Sequence, residues 1–182
     1  TDDSLIKFIR YVVGDAKFIG GMTFLFPMLT AYKLKLITNH KAKQYILSYF
    51  FKGMSEKKFI KVANEYSLKH IKTILRPKAM KKIAWHREQG HKVVVVSASI
   101  ECWVKPWCDK SDLDTIATKI KIKDGIITGK FLNKNCYGIE KANRVKKAYT
   151  LSDYDYIYAY GDTRGDKELL ELSDESFYKP FR

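Results

Sequence analysis

Cysteine is scarce in this sequence. Cys102, Cys108 and Cys136 are the only three, at spacings that form no paired metal motif, and an odd number leaves a thiol over after any pairing. A reduced, cytoplasmic setting suits such a chain. A long apolar run is also missing. The stretch from Phe18 to Leu29 is broken by Gly20, Gly21 and Pro27 and falls short of the ~20 residues a membrane-crossing helix needs. No membrane span is expected, and the stretch reads as an apolar helix, a loop or the lining of a pocket. There is no signal-peptide pattern, no internal repeat and no low-complexity segment. Acidic residues are few, 20 against 34 Lys and Arg, giving a net charge of +14 and a pI near 9.6. That excess raises nucleic acid or another anionic surface as a partner. The basic runs at 78–82, 119–123 and 144–147 nevertheless sit in amphipathic patterns, where Lys takes the wet face. Nucleic acid is therefore not expected as the primary partner, and attraction of a small phosphorylated molecule is the simpler use of the charge.

What is present suits one compact domain, or a core with a small inserted domain: 182 residues, 46% hydrophobic and 30% charged. Apolar residues at Leu5, Ile6, Phe8, Ile9, Val12 and Val13 have helical spacing. Helices are predicted over 40–51, ending at Gly53, and from Ser55 to about Leu75, so that 14–75 reads as all-helical. Arg76-Pro77 marks a boundary and opens another helix, which ends near Gly90. The β-branched run from His91 to Val96 then reads as a buried parallel strand. It stops at Ser97-Ala98-Ser99 and passes into a helix that carries Trp103, Trp107 and two of the cysteines. Asp124-Gly125 is a hairpin signal. A helix over 139–149, a second buried strand over 156–160, a helix over 167–172 and a short strand over 176–178 follow. This alternation is the grammar of an open, mostly parallel α/β sheet, whose ligands bind outside the carboxyl ends of the strands.

Three features lie at such places. Ser97 ends the first buried strand, where its hydroxyl and the following amides suit a phosphate oxygen; read alone, it is equally an ordinary helix N-cap. Asp162 and Asp166, four residues apart on the turn leaving the second buried strand, suit a hard divalent cation beside a phosphate; read alone, they are a turn and a cap. Lys141, early in the helix after Cys136-Tyr137-Gly138, suits neutralisation of a carboxylate and a phosphoryl group; read alone, it is a surface lysine.

The order strand-Ser, Gly-x-x-Lys before a helix, strand-Gly-Asp-x-x-x-Asp resembles the second, third and fourth signatures of the haloacid dehalogenase superfamily. Within it, the chain resembles the phosphoserine-phosphatase-like subfamily IB. The text that carries the likeness is Leu75-Arg76-Pro77, the run from Trp85 to Ser99, Asn135-Cys136-Tyr137-Gly138 and Tyr160-Gly161-Asp162, with Thr1 to Leu5 similar to the segment just after that branch's first signature. The resemblance implies a Rossmann-like, doubly wound core over 1–13 and 76–182, with an all-helical cap over 14–75 closing on the substrate. It implies a Mg²⁺-dependent phosphomonoester hydrolase acting through an aspartyl-phosphate. Mg²⁺ would be held by Asp162, with Asp166 supporting. Ser97 and the amide of Ala98 would bind the phosphoryl oxygens, and Lys141 would neutralise charge. Asp3 would meet a substrate amine.

The sequence departs from that pattern in two ways. The first signature, Asp-x-Asp-x-Thr, which supplies nucleophile, general acid/base and central strand, is absent; it is expected a few residues before Thr1, in a natural protein extended at its N-terminus. Phosphoserine is also disfavoured, because 14–75 contains no Arg and Gly165 replaces an Asn of the fourth signature. That segment is instead rich in Phe24, Phe26, Met28, Tyr32, Phe50 and Phe51, most of which are expected in the cap core and some of which suit an apolar pocket for a less polar phosphomonoester. The alternatives are a phosphotransferase of the same fold and a non-catalytic basic binding protein.

Overall fold

The computed structural model describes residues 4–182. Its elements are α1 Ser4–Val13, α2 Asp15–Phe24, α3 Phe26–Lys33, α4 Asn39–Phe51, α5 Glu56–Lys69, α6 Pro77–Glu88, β1 Val94–Ile100, α7 Glu101–Lys110, β2 Asp114–Thr118, β3 Ile120–Lys123, β4 Ile126–Phe131, α8 Ile139–Ala148, β5 Tyr158–Gly161, α9 Lys167–Leu170 and β6 Glu175–Tyr178. This is the mixed α/β order expected from the sequence. None of the helices among the described residues is long and apolar enough to cross a membrane.

Local chemistry explains the boundaries. The Thr38 hydroxyl accepts from the Lys41 amide and starts α4; the Ser55 hydroxyl accepts from the Lys58 amide and starts α5. Arg76 is extended, as a residue before proline prefers, and Pro77 opens α6. Asp124 and Gly125 have φ of 52° and 71° and turn the antiparallel β3–β4 hairpin. The buried stripe of α1, Leu5, Phe8 and Ile9, sets the centre of the core. Phe8 stacks on Trp103 of α7 at 4.3 Å and meets Phe59 and Tyr66 of α5 edge-on. One apolar cluster therefore joins α1, α4, α5, α7 and the hairpin.

Where α4 crosses the hairpin the two backbones nearly touch. A Cβ placed on Gly129, whose φ is +75°, would stand 2.3 Å from Ser48 Cα. Only glycine meets both the dihedral and the approach.

Several expectations need correction. The first buried strand runs from Val94 to Ile100, not from His91 to Val96. It pairs in parallel with β2, and its register shifts between Ser97 and Ile100, so the chain bulges at the predicted strand end. Ser97 is consequently not a helix cap, because α7 is preceded by Ile100 and has no side-chain cap. Val94 to Val96 and Tyr158 to Tyr160 are half-buried rather than buried. Among the described residues the parallel pairs β1–β2 and β5–β6 are separate two-stranded sheets. A cleft of about 680 Å³ is lined by both β1 and β5. Lastly, of Phe24, Phe26, Met28, Tyr32, Phe50 and Phe51, most of which the sequence places in a core, Phe51 is buried, Met28 and Phe50 are partly so, and Phe24, Phe26 and Tyr32 are exposed.

Candidate active site

The site is built around a lysine that its own helix pattern assigns to the surface. Gly138, with φ of 61° and ψ of −139°, precedes α8 and puts Lys141 in the first turn. From there Lys141 is buried, and its Nζ lies 2.6 Å from Asp166 Oδ1 and 2.9 Å from the carbonyl of Val96. A single ammonium thus ties α8 to the bulged end of β1 and to the turn after β5. An ammonium has three donors; among the described residues two are used, which leaves one able to serve an anion at the same point.

Asp166 is fully engaged. Oδ1 takes Lys141, and Oδ2 accepts from the amides of Asp162 and Thr163 and from the Thr163 hydroxyl at 2.8–3.1 Å. Burial alone would raise its pKa; the Lys141 charge and the bonds to Lys141 and Thr163 outweigh burial and hold it below the ordinary value. Gly161 has to lack a side chain here, since a Cβ would stand 2.6 Å from Asp166 Cβ. Because the folded pKa is lowered, the unfolded chain takes up more protons in acid. The stabilisation is present above the ordinary aspartate value of 3.8 and lost as pH falls through the lower folded value. We expect the urea midpoint of the wild type to fall as pH drops below about 4, and that of Asp166→Asn to fall less steeply over the same range. Equal slopes would show that Asp166 is not the group that responds.

Asp162 is more open. Its carboxylate faces Arg76 Nη2 at 3.0 Å and Arg182 Nη2 at 3.6 Å. As a partly exposed hard-oxygen donor beside the engaged Asp166 it fits Mg²⁺. Both oxygens of Asp166 already have partners, Lys141 on Oδ1 and the Asp162–Thr163 groups on Oδ2, so it fits as the anchor behind that ligand. Among the described residues no three His, Cys, Asp or Glu side chains cluster as a metal site, so the remaining ligands would come from elsewhere.

At the bulge, the Ser97 hydroxyl accepts from the Ser99 amide at 3.1 Å and keeps its own proton to donate. The carbonyl of Ala98 is reached by Lys43 of α4 and by the Thr118 hydroxyl, both at 3.3 Å. Thr118 is fully buried. It also lies 3.0 Å from Asn135 Oδ1 and accepts from the Cys136 amide. Asn135 in turn donates to Asn39 at the start of α4. Ser4 at the start of α1 lies 2.6 Å from Ser99 through their hydroxyls. Asp3 lies outside the described residues.

Of the residues singled out in the sequence, Ser97, Ala98, Lys141, Asp162 and Asp166 come together at the ends of β1 and β5. Reading the sequence missed Arg76, Lys43, Thr118, Asn39 and Asn135 as contributors. Arg76 and Asn135 stood within the family-like text, but nothing about their spacing pointed to ion pairing or to a buried amide network. Gly165 packs under the Tyr137 ring, which accounts locally for the small residue there.

The profile of the haloacid dehalogenase-like hydrolases matches residues 1–171. Protein CicA of Caulobacter vibrioides is 31% identical over 182 residues, covering 99% of this chain and 81% of CicA. A protein of unknown function from Bordetella pertussis superposes with a TM-score of 0.76 at 20% identity, covering 95% of this chain and 79% of the other. A probable phosphoserine phosphatase from Vibrio cholerae superposes with a TM-score of 0.72 at 18% identity, covering 98% of this chain and 55% of the other. These two solved structures share the fold. The gathering of Ser97, Lys141, Asp162 and Asp166 at the strand ends and the match over nearly the whole length agree, and the chain belongs to the haloacid dehalogenase-like hydrolases.

Proposed function

We propose that the protein is a Mg²⁺-dependent phosphatase that hydrolyses a small phosphomonoester through an aspartyl-phosphate. The observation that carries this reading is the Lys141 junction, where a buried ammonium with a donor left over sits between the end of β1 and the Asp162–Asp166 turn. Asp162 would hold the metal, which supplies positive charge to the phosphoryl oxygens. The Ser97 hydroxyl and the Ala98 amide donate to those oxygens. Lys141 neutralises the attacking carboxylate and orients it.

The attacking aspartate would enter on a strand seated in the cleft lined by β1 and β5, where a further parallel strand would cover the half-buried Val94 to Val96. We divide the chain into a core of 1–13 and 76–182 and a helical cap of 14–75. The cap has no Arg, and its Lys43 is the cation that reaches the bulge; a substrate other than phosphoserine, with a less polar leaving group, suits it better. Burial raises all three thiols, Cys102 to about 11. Raised thiols are poor nucleophiles, which supports a structural role for them in a reduced cytoplasm.

The test is phosphate release across a panel of phosphomonoesters by the protein carrying its upstream segment. Release should require Mg²⁺ and disappear in Asp162→Ala. Turnover that survives that substitution removes Asp162 from the site. A folded, metal-loaded protein that releases nothing but phosphorylates an alcohol acceptor would be a phosphotransferase instead.

A further inference from the structure

Helices α2 and α3 and the turn after them expose large apolar side chains. Ile19, Phe24, Phe26, Leu34 and Leu36 are 62–74% exposed, the highest values among the large apolar residues described, and all fall in one stretch of chain. Phe24 and Phe26 flank Leu25, which is buried and joins the two helices, so the bend presents both rings. The Phe24 ring stacks on exposed Tyr49 of α4 at 5.3 Å, which extends the patch with an aromatic that has a polar tip.

The charge around this patch is mostly positive, the exception on α2 being Asp15, which pairs with Arg10 at 2.7 Å. From Ala16 to Ser55 the chain contains no acidic residue, and its lysines are Lys17, Lys33, Lys35, Lys41, Lys43 and Lys52. Lys17, Lys33 and Lys35 are exposed beside the apolar residues. Exposed Phe, Leu and Ile with Tyr and Lys around them, and one carboxylate, Asp15, that is already paired with Arg10, is the composition of a surface that seats in a lipid interface. A second copy packed on the same face would set lysines against lysines, which is unfavourable.

We propose that the α2–α3 bend is an interfacial anchor that seats the protein on anionic bilayers. Phe24 and Phe26 enter the acyl boundary, and Lys17, Lys33 and Lys35 meet lipid phosphates. The helices lie on the bilayer and do not cross it.

Co-sedimentation of the full chain with vesicles tests this without reference to turnover. The protein should pellet with vesicles of phosphatidylcholine and phosphatidylglycerol, and not with phosphatidylcholine alone. Binding should weaken as salt rises. Phe24→Ser with Phe26→Ser should lower the partition coefficient by about tenfold or more, and Lys17→Gln with Lys33→Gln and Lys35→Gln should do likewise. All these positions are exposed, and unchanged circular dichroism and thermal melting would show that the variants fold. Absence of binding, equal binding to both vesicle types, or binding unmoved by either set of substitutions would overturn the proposal. So would a dimer in solution that is lost with the two phenylalanines, which would give the patch to a second copy.

Discussion

Lys141→Ala is expected to abolish turnover while also weakening the fold, and the two effects can be separated. Removal of a preorganised electrostatic group of this kind costs about 10²–10³ in rate. The stability effect arises from what is left behind. Asp166 is buried and stays charged because Lys141 is 2.6 Å away; without the ammonium its Oδ1 has no cationic partner in a desolvated position. Breaking a buried pair from one side costs about 3–5 kcal/mol. A double variant, Lys141→Ala with Asp166→Asn, removes the stranded charge and should recover much of that loss in a urea titration. It should not recover turnover. If the double variant is no more stable than the single one, the penalty does not come from the unpaired carboxylate. If Lys141→Ala turns over normally, the lysine is a structural tie only.

Gly129→Ala should be the most damaging single-methyl change at a distance from the site. Its positive φ costs a side-chain residue about 1–3 kcal/mol. Overpacking adds about 1–3 kcal/mol, and here the obstacle is the Ser48 backbone, which no rotamer change relieves. The midpoint of chemical denaturation should fall accordingly. Gly125→Ala is the control, because its φ of +71° is similar but a Cβ there meets open space; it should cost only the dihedral part. Relief in Gly129→Ala requires α4 to lift from the hairpin, and α4 carries both Lys43 and Asn39. Whatever fraction remains folded should therefore bind substrate less well, which Gly125→Ala should not.

The parts of this molecule that were legible in the sequence are those fixed by short-range chemistry. The Asp124-Gly125 turn and the helix starts at Ser55 and Pro77 each depend on a few adjacent atoms. Ser97, Lys141, Asp162 and Asp166 were legible through their order along the chain and their places after strands and before helices. What escaped was set by neighbours distant in sequence. The β-branched run of β1 indicates burial on both faces, but no residue of β1 reveals what lies across from it, and its half-burial follows from the cleft it shares with β5. The surroundings of Lys141 read as an ordinary wet helix face, since a lysine aimed inward leaves no mark on periodicity. Apolar patterning put most of Phe24, Phe26, Met28, Tyr32, Phe50 and Phe51 in a core, but among the described residues no neighbour buries Phe24 or Phe26. Thr118 and Asn135 are short polar residues whose network can be seen only in three dimensions.

That network has a consequence for how the parts of the site move. One buried hydroxyl, on Thr118, is within reach of the Ala98 carbonyl, the Asn135 amide and the Cys136 backbone, and through Asn135 it is joined to the first residue of α4. The proton of that hydroxyl has two acceptors in reach, the Ala98 carbonyl at the bulge and the Asn135 side chain, while its oxygen accepts from the Cys136 amide and Asn135 donates onward to Asn39. A hydroxyl has a single proton to give, so the bulge and Asn135 compete for it. If the first residue of α4 moves and turns the Asn135 side chain away, that proton passes to the Ala98 carbonyl, and the position of α4 is felt at the bulge.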